Sequence, residues 1–209
     1  MIARQSKSAF LYLEVRHALR SGNYVPGQRI DPATLAEEFH ASATPVRFAL
    51  YRLVGEGLIA DHGRNGLHVP LPTEVMLRDQ YDWMRRLLLM ACDVCFGTPS
   101  SVAEEMENRP PADDLAKATW QFFDDMARAT NHRSLHHAVE HANDRLAPVR
   151  RIGLGLVDDA ADELSGLLRC WQQRNEQALR GGLTAYYERR MQLVPQIVGL
   201  LGEGGGFPR

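Results

Sequence analysis

The chain has 209 residues, of which 44% are hydrophobic and 24% charged, and its formal net charge is −2. These values are typical of one large or two small globular domains, and they exclude a collagen-like, disordered or strongly basic chain. The three cysteines are too few for a disulfide framework. No run of residues approaches the roughly 18 apolar positions of a membrane helix, and no signal peptide is recognisable, so we expect a cytoplasmic protein with no membrane partner.

The first third of the chain is mildly basic and begins with two predicted helices. Residues 1–70 carry eight Lys/Arg against six Asp/Glu, a net of +2 that allows a local DNA-binding surface. The first helix is predicted to end at Ser21-Gly22, since glycine is favoured just past a helix C-terminus. The second is predicted over Ala33–Phe39, with Asp31 as its cap and Pro32 at its first position.

A third helix and a hairpin follow. Ser42 or Thr44 is predicted to cap the third helix. Apolar residues at helical spacing mark its buried face: Val46, Ala49, Leu50, Leu53 and Val54. Asn65-Gly66 lies between two short apolar stretches, which indicates a β-hairpin. Two short helices joined by a tight turn and followed by a hairpin predict a winged helix-turn-helix, whose second helix enters the major groove of DNA.

The rest of the chain is predicted to be a helical bundle, separated from the first part by the two prolines of Val69–Thr73. Helices are predicted near residues 73–96, 100–108, 113–130, 133–151, 158–173 and 175–201. Gly153 and Gly155 are expected to break a helix, and Gly181-Gly182 is expected to bend or divide the last one. The fold class is therefore mainly α. The expected domains are a winged helix-turn-helix with a small β-hairpin wing at 1–70, an all-α bundle at 73–202 and a flexible tail at 203–209.

A specific pattern runs almost unbroken from Leu19 to Val69. It includes Ser21-Gly22, Pro26-Gly27, Leu35-Ala36, Thr44-Pro45-Val46-Arg47, Ala49-Leu50, Gly57-Leu58 and Gly66. This pattern resembles that of the GntR family of bacterial transcription regulators. More loosely, residues 122–132 and 163–187 are similar to the helical FCD effector domain of its FadR-like branch. The resemblance implies a ligand-responsive regulator, in the commoner mode a repressor, that binds a palindromic operator as a homodimer.

The residues expected to contact DNA lie on the third helix and the wing. The guanidinium of Arg47, opposite the buried stripe, can reach a guanine edge or a phosphate. The expected DNA-binding residues are Ser42, Thr44, Arg47, Tyr51, Arg52, Arg64, Asn65 and Gly66. Phe48 is expected to pack against the first helix, and Tyr51 either packs there or contacts a thymine methyl. Ala33 and Ala43 stand where relatives often have arginine, so the operator sequence is not implied.

The FCD family commonly holds a divalent metal through one Asp and three His. The corresponding positions here are Thr119, Phe123, Leu164 and Tyr186. None of these residues is a good metal ligand, so we expect no cofactor and a more apolar cavity. The expected effector-binding residues are Arg85, Thr119, Trp120, Phe123, Leu164 and Tyr186, with Trp171 as a further lining residue. Arg85 makes a carboxylate the candidate chemistry for a small-molecule effector.

Two alternatives remain open on the sequence alone. In the first, the DNA-binding regulator is constitutive and its helical domain serves only dimerisation. In the second, a metal-dependent hydrolase uses a helix that carries His132, His136, His137 and His141. The sequence has no HExxH motif and no nucleophile with a base, so we do not predict an enzyme. Cys92 and Cys95 form a lone CxxC, which predicts buried free thiols rather than a zinc site.

Overall fold

The structure, a computed structural model, describes residues 6–97 and 114–204. The helix predicted at 100–108 and most of the tail predicted at 203–209 lie outside these residues. The chain divides into two compact units. One comprises the residues up to Pro72 together with the end of the last helix from Leu200, and the other comprises Thr73–Gly199.

The first unit combines three helices with a small sheet. The helices are α1 (Lys7–Ser21), α2 (Pro32–Glu38) and α3 (Ala43–Gly55). The strands are β1 (Arg29–Ile30), β2 (Ala60–Asp61) and β3 (Leu67–His68). They pair antiparallel in the order β1-β3-β2, and a single 3-10 turn joins β2 to β3. The predicted winged helix-turn-helix is therefore confirmed, with β1 as a third strand beside the hairpin.

The predicted ends of α1 and α2 are also confirmed. Gly22 follows α1 in the left-handed conformation, with φ of 78°. The side chain of Asp31 accepts a hydrogen bond of 3.0 Å from the N–H of Ala33, and Pro32 takes the first position of α2. These local interactions mark the end of α1 and the start of α2.

The predicted cap of α3 is wrong in its chemistry. Ser42 lies at the N-cap position, but its hydroxyl makes no capping hydrogen bond. A cap oxygen accepts from the N–H of the second or third helical residue, and the third residue here is Pro45, which has no N–H. The first turn of α3 therefore keeps its remaining N–H groups free of a side-chain cap.

One apolar core holds the first unit together. Its members from the helices are Leu11, Val15, Leu19, Leu35, Val46, Ala49, Leu50 and Leu53, and the segments around the sheet add Ile30, Leu58, Ile59, Leu67 and Val69. The predicted buried face of α3 is confirmed apart from Val54, which is partly buried. Phe10 on α1 is 46% exposed and contacts Phe39 edge-on at 6.2 Å between ring centroids. The core thus joins α1 to the buried face of α3.

The described part of the second unit consists of helices joined by short turns. Its helices are α4 (Glu74–Gly97), α5 (Leu115–Ala129), α6 (Arg133–Gly155), α7 (Ala160–Gln172) and α8 (Glu176–Gly204). The hydroxyl of Thr73 accepts the N–H of Met76 at 3.3 Å, which confirms the predicted start of α4. Across both described ranges, every helix is too short or too polar to cross a membrane. The predicted all-α bundle is confirmed.

The helix break predicted at Gly153 and Gly155 is confirmed, since α6 passes through Gly153 and ends at Gly155. The predicted division of the last helix is absent, because α8 passes through Gly181-Gly182 without interruption. A Cβ at Gly153 would lie 3.5 Å from Ile197 Cδ1, and a Cβ at Gly182 would lie 2.8 Å from Leu167 Cδ2. Close packing against Leu167 therefore accounts for Gly182, whereas a Cβ at Gly153 would make only ordinary contacts.

Cys92 and Cys95 lie one turn apart on α4, and both are buried and free, as predicted. Burial raises the pKa of the Cys92 thiol to about 12, since the charged thiolate is disfavoured there. The Sγ of Cys95 donates to the carbonyl of Met126 at 3.8 Å. Both thiols therefore act as small apolar core groups.

The two adjacent glycines of α8 provide a matched test of this packing. Gly181 has open space around a built Cβ, so Gly181→Ala is expected to raise the free energy of unfolding by about 0.5–1 kcal/mol through helix propensity. Gly182→Ala is expected to lower it by about 1 kcal/mol, because displacing Leu167 costs roughly 1–3 kcal/mol. Urea unfolding of both variants measures the difference, and equal stabilisation by both would contradict the close contact with Leu167.

Candidate nucleic-acid interface

The outward face of α3 carries four exposed side chains. Thr44, Arg47, Phe48 and Tyr51 point away from the core, because the opposite face of the helix is buried. Phe48 is 69% exposed and Tyr51 is 56% exposed. The expectation that Phe48 packs against the first helix is therefore wrong. The face combines one guanidinium, one hydroxyl and two aromatic rings, which suits contact with both base edges and phosphates.

The start of α3 adds an electrostatic feature to this face. Ser42 and Thr44 are exposed there, and the backbone N–H groups of the first turn have no side-chain cap. A helix N-terminus carries a partial positive charge and free donors, which together suit a phosphate oxygen. Without a side-chain cap, α3 is less stable in isolation. The N–H groups that stay free can instead bind a phosphate of a nucleic-acid backbone.

The wing places three of the predicted residues at its tip. Arg64 and Asn65 are exposed on the 3-10 turn, and Gly66 follows it with φ of 85° and ψ of −164°, a conformation essentially restricted to glycine. Asp61 supports the turn, since its carboxylate accepts the N–H of Gly63 at 2.8 Å. The tip is therefore a fixed turn rather than a loose loop.

The third helix and the wing border a common cavity of about 210 Å³. Arg47 and Tyr51 line it from α3, and Gly63 and Gly66 line it from the wing. Arg29 on β1 also lines it, and a Cβ built at Gly66 would lie 3.4 Å from Arg29 Nε. Sequence reasoning missed Arg29. The sequence signal that could have found it is the alternation of charged Arg29 with apolar Ile30, which the structure places exposed and buried on the short strand β1.

Arg52 has partners within the first unit. Its guanidinium carbon lies 3.7 Å from the ring centroid of Tyr12, and its Nε donates to Glu56 at 3.2 Å. The hydroxyl of Tyr12 in turn lies 2.8 and 3.1 Å from the two carboxylate oxygens of Glu56. Partial burial and this bond to Glu56 raise the pKa of Tyr12. Arg52 therefore helps to join α1 to α3, and its contact with DNA stays a prediction.

This cluster of Tyr12, Arg52 and Glu56 predicts a difference between two tyrosines. Tyr12→Phe is expected to lower the free energy of unfolding by about 1–2 kcal/mol, because it removes a hydrogen bond to a charged acceptor. Tyr51→Phe is the control, since its ring is exposed on the outward face of α3. Denaturant unfolding measures both, and equal stability of the two variants would contradict a stabilising role for the cluster.

The predicted effector residues of the second unit are mostly enclosed in its core. Phe123 is fully buried and meets the ring of Tyr186 edge-on at 5.5 Å. The buried Thr119 donates its hydroxyl to the carbonyl of Leu115 at 2.8 Å, and Leu164 is also buried. The four positions of the family's metal site thus hold a satisfied hydroxyl, two aromatic rings and an aliphatic side chain, which do not fit a metal ion.

The remaining predicted effector residues have polar partners. Trp120 donates its indole N–H to Asp144 at 2.9 Å. Arg85 donates to Asp82 at 2.6 Å, and the neighbouring Arg86 binds the other oxygen of the same carboxylate. Arg85 therefore pairs with a carboxylate of its own helix, and its contact with an effector stays a prediction.

A cavity does exist in the second unit, with a different lining. It is bordered by Tyr81, Leu146, Arg150, Gly153, Leu154, Tyr186, Tyr187 and Arg190. Tyr186 is the one predicted effector residue among them, whereas Arg85, Thr119, Trp120, Phe123 and Leu164 do not line this cavity. Arg150 and Arg190 are 7% and 3% exposed, which is unusual for arginine.

The histidines of α6 have individual structural partners. The ring of His132 accepts the N–H of Leu135 and caps the helix, and His136 lies 2.8 Å from a carboxylate oxygen of Asp124. In residues 6–97 and 114–204, no three or more His, Cys, Asp or Glu side chains are grouped so that they could hold a metal ion. The arrangement of this helix gives the hydrolase alternative no support.

The comparisons with known proteins agree with this geometry. Residues 7–69 match the sequence model of the bacterial regulatory proteins of the gntR family. The chain is 22% identical over 145 residues to the HTH-type transcriptional regulator YdhC of Bacillus subtilis, itself uncharacterised. That match covers 64% of this chain and 65% of YdhC, so it spans slightly less than two thirds of that relative.

Two solved structures share the fold over nearly their whole length. McbR/YncC of E. coli superposes with a TM-score of 0.69 at 21% identity, covering 91% of this chain and 98% of its own. A GntR transcriptional regulator from Rhodococcus sp. RHA1 gives a TM-score of 0.73 at 17% identity, covering 92% and 97%. These matches are named as regulators rather than enzymes, in agreement with the prediction that the chain is not an enzyme. Residues 7–69 are therefore similar to the DNA-binding regulatory proteins of the gntR family, and the chain shares its fold with transcription regulators over nearly its whole length.

Proposed function

We propose that this protein is a transcriptional repressor that binds a palindromic operator as a homodimer and responds to a small metabolite. The observation that carries the proposal is the exposed face of α3 beside the wing. Arg47 and Tyr51 from α3 border one concave surface with Arg29 and the wing glycines. A helix in the major groove and a wing at the adjacent backbone use such a surface.

The DNA-binding part of the proposal divides its residues by role. Arg47, Tyr51 and Thr44 are placed to meet base edges, because they project from the helix that enters the groove. Ser42 and the free N–H groups of α3 suit a phosphate. Arg64, Asn65 and Gly66 at the wing tip, together with Arg29, are assigned to the sugar–phosphate backbone or the minor groove.

A homodimer is supported by an exposed apolar stripe on α4. Met76, Trp83 and Met90 are 43%, 51% and 50% exposed, and their spacing of seven residues places them along one face. Asp79 and Arg86 are exposed on the same face. If two copies of α4 cross antiparallel near Trp83, the Arg86 of each copy meets the Asp79 side of the other. Because of this charge complementarity, we assign the stripe to contact with the same stripe on a second copy of the chain.

The response to a ligand is supported by the cavity in the second unit. A domain used only for dimerisation has no need of two buried arginines beside a cavity, since buried charge is costly. We therefore favour the ligand-responsive regulator over the constitutive alternative. Ligand binding would alter the spacing or mobility of the two recognition helices in the dimer. The size of this shift is limited by how strongly the ligand prefers one conformation to the other.

The DNA-binding proposal predicts the effect of one arginine. Selection from a random pool of duplex DNA is expected to enrich an inverted repeat, with binding that weakens steeply as salt is raised. Arg47→Ala is expected to cost about 1–3 kcal/mol of affinity for the enriched sequence, measured by fluorescence anisotropy.

The matched control is Arg133→Ala, which removes the same charge from an exposed position of the second unit. Its affinity should equal that of the wild type. Failure of the wild-type protein to enrich any sequence, or equal affinity of the Arg47 and Arg133 variants, would overturn the proposed DNA-binding surface.

The dimer proposal predicts the effect of a charge on α4. Trp83→Glu is expected to shift the protein from dimer to monomer, because it places a carboxylate at the centre of the apolar stripe, and analytical ultracentrifugation measures the change. Val25→Glu is the control, since Val25 is 57% exposed in the first unit. A wild-type monomer, or a Trp83 variant that stays dimeric, would exclude this interface.

A further inference from the structure

We propose that Phe48 recognises the C5-methyl group of a thymine in the major groove and thereby selects thymine at one position of each operator half-site. This inference deepens the proposed function and rests on it, because α3 must enter the groove for its outward face to meet a base. The proposed function assigns Arg47, Tyr51 and Thr44 to base edges and gives Phe48 no role. The argument uses the position of Phe48, its exposure, the chemistry of its ring and the charge around it.

The first step is the position of Phe48 on α3. The helix begins at Ala43, so Phe48 lies within its first two turns, the part of a recognition helix that contacts base edges. At 3.6 residues per turn, Phe48 lies one turn beyond Thr44 and one turn before Tyr51, and both of these side chains are exposed. Phe48 therefore lies on the same outward face as the residues that are assigned to bases.

The second step is the exposure of the ring. Phe48 is 69% exposed, and it belongs neither to the apolar core of the first unit nor to the lining of the cavity between α3 and the wing. Tyr51, the other exposed ring on this face, does line that cavity. A lone exposed phenylalanine is ordinary on a protein surface, but this one projects from the helix that is proposed to enter DNA. Its ring is available for contact outside the chain.

The third step is the chemistry of the ring and of the groove. A phenyl ring carries no conventional hydrogen-bond donor or acceptor, so a phosphate oxygen or a polar base edge offers it little. The C5-methyl group of thymine is the one apolar group that the four base pairs present in the major groove. Removing the ring and this methyl group from water together is favourable. Thymine is therefore the base that Phe48 selects.

The charge of this surface favours DNA over a second protein surface as its occupant. Helix α3 contains no acidic residue, Arg47 is exposed on the same face, and Arg29 lines the adjoining cavity. Asp61 also lines that cavity, and its carboxylate accepts the N–H of Gly63 at 2.8 Å, so the two arginines leave a net positive charge. Docking of this face against the same face of another copy would bring these cations together, whereas a phosphate backbone brings negative charge to them.

The experiment uses the full chain and the sequence enriched from the random pool of duplex DNA. Each thymine of a half-site is replaced in turn, symmetrically in both half-sites, by deoxyuridine, which lacks only the C5-methyl group and keeps the hydrogen bonds of the base pair. Fluorescence anisotropy at constant salt measures the affinity. We expect the wild type to lose roughly fourfold in affinity for each methyl contact, and so roughly tenfold or more for one symmetric pair of replacements.

Phe48→Ala is the decisive variant. We expect it to bind the thymine operator roughly tenfold more weakly than the wild type does, and to bind the thymine and deoxyuridine operators equally well. Its Tm should equal or exceed that of the wild type, because the ring is exposed and alanine is the best helix former. Its salt dependence should match that of the wild type, since no charge is removed, whereas Arg47→Ala should reduce the dependence. Phe48→Leu keeps an apolar side chain and should retain part of the preference for thymine.

Two further variants serve as comparisons. Val75→Ala is the matched control, because Val75 is also 69% exposed but lies in the second unit, and it should keep both the affinity and the preference of the wild type. Thr44 carries a methyl group on the same face as Phe48. Thr44→Ser removes that methyl group, keeps the hydroxyl and should retain the preference for thymine.

The outcomes separate this inference from the proposed function. An enriched half-site without thymine, or a wild type for which no replacement of thymine weakens binding, would overturn the methyl contact. A preference for thymine that persists in Phe48→Ala, or that is lost in Thr44→Ser, would overturn the assignment to Phe48. Failure of the wild type to enrich any sequence would overturn the proposed function, whereas salt-dependent operator binding with no effect of the thymine methyl group would overturn this inference alone.

Discussion

Burial of one face of α3 against α1 is the constraint on which the proposed DNA-binding surface depends. Val46, Leu50 and Leu53 are 1% exposed or less and fix the rotation of the helix about its axis. A helix of 13 residues is marginal in isolation, so this burial also keeps it folded. With 3.6 residues per turn, Arg47 and Tyr51 must then face outward. The exposed residues of α3 can therefore change without loss of the fold, whereas the residues beneath them cannot.

The second unit differs from the first because its core also encloses charged and polar side chains. Its core encloses Arg150 and Arg190 together with Asp124, Asn143 and Asp144. A buried charge costs free energy unless partners compensate it. Arg190 pairs with Glu163 and lies over the ring of Tyr186, and Arg150 donates to the side-chain amide of Asn143.

Local signals in the sequence predicted the first unit well because they act over a few residues. Gly22, Asp31 with Pro32, and Asn65-Gly66 each set the backbone where they occur, and the apolar spacing of α3 identified its buried face. The failed cap of Ser42 was visible in principle from Pro45, which removes the required N–H. The exposure of Phe48 was not visible, because it depends on what α1 and α2 leave uncovered.

The cavity of the second unit lay beyond sequence reasoning for a further physical reason. The metal positions of the family resemblance pointed to Phe123 and Leu164, and the structure fills that place with side chains. The polar groups at the cavity are arginines on α6 and α8, 40 positions apart in the chain, and only packing of those helices makes them buried neighbours of Tyr187. Periodicity treats an arginine as a surface residue, so the burial of these two guanidinium groups leaves no local signature in the sequence.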